Sequence, residues 1–122
     1  MRRGSESNMK DGELRLILRV YLKKEEEFFG AGPAKFLRLV GVTGSMNAAC
    51  KAMYMSYSKG WKLINRVERE LGYKVLERNA GGGGGGGSEL TEEGERFLRC
   101  YTEMENDLEA AARQIFLKYF GS

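Results

Sequence analysis

From residue 14 to residue 22, LRLILRVYL, apolar Leu14, Leu16, Leu18, Val20 and Leu22 alternate with positions that include Arg15 and Arg19. A period of two predicts a strand with one buried face. After the charged turn Lys23 to Glu27, the short run Glu27-Phe28-Phe29 can pair back on that strand before Gly30-Ala31-Gly32 ends it, giving an N-terminal β-hairpin. Pro33 then fits the first position of a helix, where its missing N–H would be an unpaired donor anyway, and this helix should run to about Val42.

Ser45 is a good N-cap for the Ala-rich segment Met46 to Met53, which reads as a short second helix that a neighbour can approach closely. Tyr54-Met55-Ser56 breaks it, Ser56 caps a third helix, and Gly72 closes that helix after Leu71. Two capped helices joined by a tight turn form a helix-turn-helix pattern. Within the third helix Trp61, Ile64, Val67 and Leu71 share a buried stripe, while Ser58, Lys59, Lys62, Arg66 and Arg69 fall on the other side. Lys74 to Arg78 and Ser88 to Thr91 read as two short strands flanking seven consecutive glycines, Gly81 to Gly87, so a glycine-rich wing spans 79–89.

From Glu92 the period changes, and Phe97, Tyr101, Met104, Leu108, Ala111 and Ile115 recur at alternating spacings of four and three, a heptad seam. A helix of nearly thirty residues is about 43 Å long at the usual rise per residue. A small winged domain cannot cover such a stripe alone, so the seam predicts a partner helix, most economically from a second copy. The expected fold class is mainly α with small β: a winged helix-turn-helix over 13–91, with an N-terminal β-hairpin, a flexible tail over 1–12 and a long C-terminal dimerisation helix over 92–122.

Composition narrows the chemistry. A chain of 122 residues is one domain, and 42% apolar residues with no long apolar run give a small core and no membrane span. There is no histidine, hence neither the commonest metal ligand nor the usual near-neutral base, and two cysteines fifty residues apart, Cys50 and Cys100, make no zinc site. Both read as reduced thiols, and the polar start MRRGSESNMKDGE has no apolar signal core, so a cytoplasmic location is expected. No nucleophile, base and metal assemble; no cofactor and no enzyme are expected. Glu89, Glu92, Glu93 and Glu95 suit the macrodipole of a helix start, and the glycine run is not followed by the Gly-Lys-Ser/Thr of a phosphate loop.

Charge is unevenly spread. Residues 33–80 hold nine Lys/Arg against three acids, a local +6, whereas residues 81–122 hold four against eight, a local −4. The basic middle points to a polyanion. A recognition helix reads base edges with its N-terminal residues, which makes Ser58, Lys59 and Lys62 base-edge candidates; Ser45, Ser56, Tyr57, Arg66 and Arg78 suit phosphates. The plain alternative for Lys59, Lys62 and Arg66 is a solvated helix face, and for Trp61 and the six methionines simple packing. The alternative function is a winged helix that docks another protein and ignores DNA.

The stretch GSMNAACKAMYMSYSKGWKLINRVERELGYKVLER, with the later LTEEGE, resembles the winged helix-turn-helix of LysR-type regulators. MSYSKGWKLI, the glycine-rich wing and the leading hairpin are similar to the N-terminal domain of the molybdate-responsive ModE regulators. The resemblance implies a double-stranded-DNA-binding homodimeric transcriptional regulator linked to molybdate transport or metabolism. It does not carry a molybdate site across, because nothing here matches the small β-barrel module that binds molybdate in that family. The wing is all glycine where relatives often place Lys or Arg, and Tyr54 stands at a turn position where they prefer Gly, so a positive φ there would be strained.

Overall fold

A computed structural model describes residues 12–79 and 87–121. The elements run β1 (Leu22–Lys23), β2 (Glu27–Phe29), α1 (Ala31–Thr43), α2 (Met46–Ala52), α3 (Tyr57–Leu71), β3 (Leu76–Asn79), β4 (Gly87–Leu90) and α4 (Glu92–Phe120). This is a winged helix-turn-helix with two separate antiparallel two-stranded sheets, β1 with β2 and β3 with β4. The wing tip predicted on the glycine run and the predicted tail as far as residue 11 lie outside the described residues.

Local sequence sets most boundaries. The Ser45 hydroxyl accepts from the Ala48 N–H at 3.0 Å, and the Ser56 hydroxyl from the Lys59 N–H at 3.1 Å, so both predicted caps are made. Thr91 caps α4 in the same way, and its own hydroxyl donates to the Lys74 carbonyl at 2.7 Å, fixing the start of α4 to the strand side. Helix α1 begins two residues earlier than Pro33 predicts, at Ala31, which places the proline within the first turn, where no intrahelical partner is lost.

The core is one cluster that draws on every region from β2 to α4: Phe29, Phe36, Leu37, Val40, Ala49, Ile64, Val67, Val75 and Tyr101 are all buried. Each fully buried Ile or Val of this kind stabilises by about 1.5–3 kcal/mol. Two close approaches hold it together. A Cβ at Gly60 would meet Cys50 Sγ at 2.5 Å, so α3 crosses α2 at glycine distance; a Cβ at Gly94 would meet the Val75 carbonyl oxygen at 2.4 Å, so α4 lies directly on the chain entering β3. Burial under this crossing pushes the Cys50 thiol up from its ordinary pKa, against a weaker lowering by a hydrogen bond from the Gly60 backbone.

Two expectations need correction. The strand predicted over 14–22 is a ladder only at Leu22 and Lys23. Its partner β2 is three residues long and gives way to α1, so nothing among the described residues continues the pairing, and Leu14, Leu16 and Leu18 are 64%, 48% and 44% exposed. The seam of α4 is also divided. Tyr101 is buried, Phe97 and Met104 are half-buried, and all three pack against the domain's own core. Phe29 meets the Phe97 and Tyr101 rings edge-on, with centroids 4.8 and 4.9 Å apart. Tyr101 therefore has no surface left for a partner. Leu108, Ala111 and Ile115, farther along the same seam, stay exposed.

Candidate nucleic-acid interface

Helix α3 turns Gly60, Ile64 and Val67 inward and leaves Tyr57, Ser58, Lys59, Lys62 and Arg66 exposed on its outer side. Ser56, at its N-cap, is exposed as well, with its oxygen engaged by the helix. The N-terminal half of α3 contains no acid, and both of its later acids are drawn elsewhere. Glu68 accepts from the Val75 and Leu76 N–H groups at 2.8 and 3.2 Å, and Glu70 accepts from the Glu25 N–H at 3.2 Å. The outer face is thereby left cationic, with two carboxylates used to fasten the helix to the wing and to the hairpin.

Arg78 on β3 comes back to the start of α3. Its Nη2 donates to the Tyr57 hydroxyl at 3.4 Å and its guanidinium lies 5.4 Å from the Trp61 ring centroid, while Tyr57 meets Trp61 edge-on at 6.3 Å. A cation held over an indole is prepositioned for a further anionic partner, since the ring takes none of its hydrogen-bond donors. Trp61 is half-buried, so it serves both as packing and as the platform under Arg78. Reasoning from spacing assigns Trp61 to the core stripe and misses that second role; its position four residues after Tyr57 on one helix face was the available signal.

The predicted residues fall into two groups. Ser56, Tyr57, Ser58, Lys59, Lys62 and Arg66 stand exposed at the start and along the outer side of α3, and Arg78 of β3 meets that helix at Tyr57 and Trp61. Ser45 is half-buried at the start of α2, with its hydroxyl engaged as a cap. Between the groups stands the turn residue Tyr54, 97% exposed with φ at 56°, a left-handed backbone that costs a residue with a Cβ roughly 1–2 kcal/mol. Among the described residues no group of three or more metal-ligating side chains is placed to hold an ion, and no helix is long and apolar enough to cross a membrane.

A capped helix pair whose second helix presents a cationic outer face beside a two-stranded wing defines the winged helix-turn-helix class of DNA-binding domains. A family model described as the bacterial regulatory helix-turn-helix protein, lysR family, matches residues 35–95, half of the chain. The chain belongs to that family. Its structure is similar to the DNA-binding domain of CbnR in a crystal structure with DNA, at 28% identity and TM-score 0.53, over 69% of this chain and 94% of that one. It is also similar in fold to full-length CbnR, a LysR family transcriptional regulator, at 24% identity and TM-score 0.55, and to VV2_1132, another such regulator, at 16% and 0.55. The chain spans 28% of the length of CbnR and 30% of that of VV2_1132. No curated protein matches it. None of these likenesses is to a ModE regulator or concerns molybdate.

Proposed function

We propose that the chain is a sequence-specific transcriptional regulator of double-stranded DNA, working as a homodimer joined through the second half of α4. The observation that carries the DNA reading is the outer face of α3: three exposed cations at 59, 62 and 66, with Arg78 of β3 held over Trp61 of the same helix and both acids of that helix engaged elsewhere. A helix enters the major groove with its N-terminal residues foremost. On that docking Ser58, Lys59 and Lys62 reach base edges, and Tyr57, Arg66 and Arg78 lie against phosphates. The CbnR domain is found with DNA in a crystal structure, which supports the same assignment here.

For the dimer, the support is the exposed apolar continuation of α4, with Leu108, Ile115 and Leu117 at 41%, 58% and 50% exposure. Two copies joined there would present two α3 helices to the half-sites of an inverted repeat. Molybdate enters only through the likeness to ModE regulators, and no residue of this chain is assigned to it.

Fluorescence anisotropy of the full chain on its own upstream DNA, against a scrambled duplex of equal length, tests the reading at two salt concentrations with and without molybdate. Specific preference with a steep salt dependence is expected. Lys62→Ala at a base edge should cost about 1–3 kcal/mol and relax preference at one position, whereas Arg66→Ala should weaken all duplexes alike and reduce the salt slope by about 1. Equal, salt-independent binding to both duplexes would move the assignment to a protein-docking winged helix.

A further inference from the structure

Residues 14–21 pose a discrepancy that a single copy does not resolve. Their apolar alternation is that of a strand, yet among the described residues no backbone–backbone hydrogen bond reaches them and no strand pairs with them. The apolar face of this arm is continuous with the core: Val20 and Leu22 are half-buried and pack on it, and the same parity continues outward through Leu18, Leu16 and Leu14 into water. The arm is tethered to α4, where the Tyr101 hydroxyl donates to the Val20 carbonyl at 2.8 Å. The arm therefore leaves the core on the helix that carries the exposed apolar seam.

We propose that the arms of two copies pair with each other as antiparallel strands about the two-fold axis, joining two β1–β2 hairpins into one four-stranded sheet that lies across the α4 seam. The proposal rests on the homodimer read above and names what covers its apolar flank. Three features of the chain select a second copy as the occupant. Strand β1 already forms one ladder edge with β2, so its other edge is free along its extension. The arm is self-complementary: in a two-fold antiparallel pair whose opposed residue numbers have an even sum, Leu14, Leu16, Leu18, Val20 and Leu22 of both strands share one face, and a one-residue slip would destroy this. The arm is anchored to the very helix that carries the exposed seam, through Val20 and Tyr101.

Apolar matching and charge together fix the register: a pair centred on Leu16 would set Arg19 opposite Glu13 but Val20 opposite Gly12 and Leu22 opposite Lys10, which loses the apolar match. Centring the pair on Ile17 would set Arg15 opposite Arg19, two like charges in direct cross-strand contact. Centring it on Leu18 sets Leu18 opposite its own copy, Leu16 opposite Val20 and Leu14 opposite Leu22, and leaves each arginine opposite a neutral residue, Arg15 with Tyr21 and Arg19 with Ile17. The register centred on Leu18 is the one assigned.

Cysteine cross-linking of the full chain tests it. In a Cys100→Ser background, with buried Cys50 left in place, Leu18→Cys and Ile17→Cys variants are oxidised mildly and run without reductant. Opposed Cα atoms in an antiparallel pair lie about 4.5–5.5 Å apart, within disulfide reach, whereas diagonal neighbours are about 7–8 Å apart and outside it. The Leu18→Cys chain should form covalent dimer at least tenfold faster than Ile17→Cys. Because Leu16 and Leu18 are already half-exposed in one copy, Leu16→Asp with Leu18→Asp should raise the dimer dissociation constant at least tenfold while leaving the thermal midpoint of the monomer unchanged. A chain that sediments as a dimer but cross-links no faster at 18 than at 17 would overturn the arm pairing and leave the α4 dimer standing. A chain that sediments as a monomer overturns both.

Discussion

Along α3 the apolar stripe is covered completely where it matters, with Ile64 and Val67 fully buried, whereas along α4 the stripe that begins with buried Tyr101 runs out to Leu108 and Ile115 at 41% and 58% exposure. The N-terminal arm repeats the second case, with Leu14 and Ile17 at 64% and 70%. All three stretches are periodic, and periodicity reports only that a face needs cover. What differs is the supply of cover. Around α3 it comes from α1, α2 and the approach to β3, all within one short stretch of chain. At the two ends the described residues offer none, and on the reading proposed above a second copy supplies it. The domain is thus divided between a self-sufficient DNA-facing unit and two apolar ends that lie exposed.

The strongest way to break that division is at the place where the covered half of α4 meets the wing. Gly94→Ala would drive a methyl into the Val75 carbonyl, which has no room to retreat because Thr91 is bonded to the same stretch at Val75 and Lys74. A loss of about 3 kcal/mol is expected, as for overpacking against a fixed backbone, measured by urea unfolding. Substitutions at Leu16 or Leu18 in the same assay should leave a dilute monomer unchanged. Equal losses at both places would erase the distinction between covered and uncovered regions.

Next comes Glu68, which ties α3 to β3. Glu68→Ala leaves the Val75 and Leu76 N–H groups without their acceptor, and charge-assisted bonds of this type are worth about 2 kcal/mol. The loss should also appear in DNA affinity, because Arg78 sits on the strand that Glu68 secures and would lose its fixed place over Trp61. If stability falls with affinity untouched, the wing does not position Arg78 for DNA.

Tyr101 stands at the border between the two regimes, buried itself and holding the arm through Val20. Burial first, and the nearby Glu105 carboxylate second, push its phenol from the usual 10.0 to about 12. The fold therefore favours the protonated phenol. The stability it contributes is fully present below pH 10 and is lost as pH rises through about 12. Tyr101→Phe should cost about 1 kcal/mol near neutrality, for the lost bond to Val20. It should also flatten part of the decline in thermal midpoint between pH 10 and about pH 12.

The legible part of the fold was the part fixed by neighbours in sequence. Ser45, Ser56 and Gly72 announce helix ends because a cap is satisfied within three or four residues, and the exposed face of α3 follows from its buried one. The candidate site was half legible for the same reason: Tyr57, Ser58, Lys59, Lys62 and Arg66 lie on one helix, while the seating of Arg78 over Trp61 and the capture of Glu68 by Val75 and Leu76 arise from a chain reversal that no local pattern encodes. The arm and the seam misled for a different reason. A heptad cannot distinguish a domain's own core from a partner's, so Phe97, Tyr101 and Met104 read the same as Leu108; an alternating strand likewise does not say which chain holds its other edge.

The smallest effect tests the turn of the DNA-facing unit, the one place among the described residues where a residue other than glycine holds a positive φ. Tyr54 holds φ at 56° and makes almost no contact, being 97% exposed, so packing does not repay the left-handed backbone. Tyr54→Gly removes roughly 1–2 kcal/mol of strain. It also adds about 0.5–1 kcal/mol of chain entropy to the unfolded state. The difference is a net gain of about 0.5 kcal/mol, readable as a small rise in the urea midpoint with an unchanged slope. A loss instead would mean that the aromatic ring is anchored by contacts formed in solution. The same variant titrated with DNA separates two origins of the strain. Unchanged affinity makes it an incidental feature of the turn, whereas weakened affinity in a more stable protein would make Tyr54 a contact residue whose strain is tolerated for function.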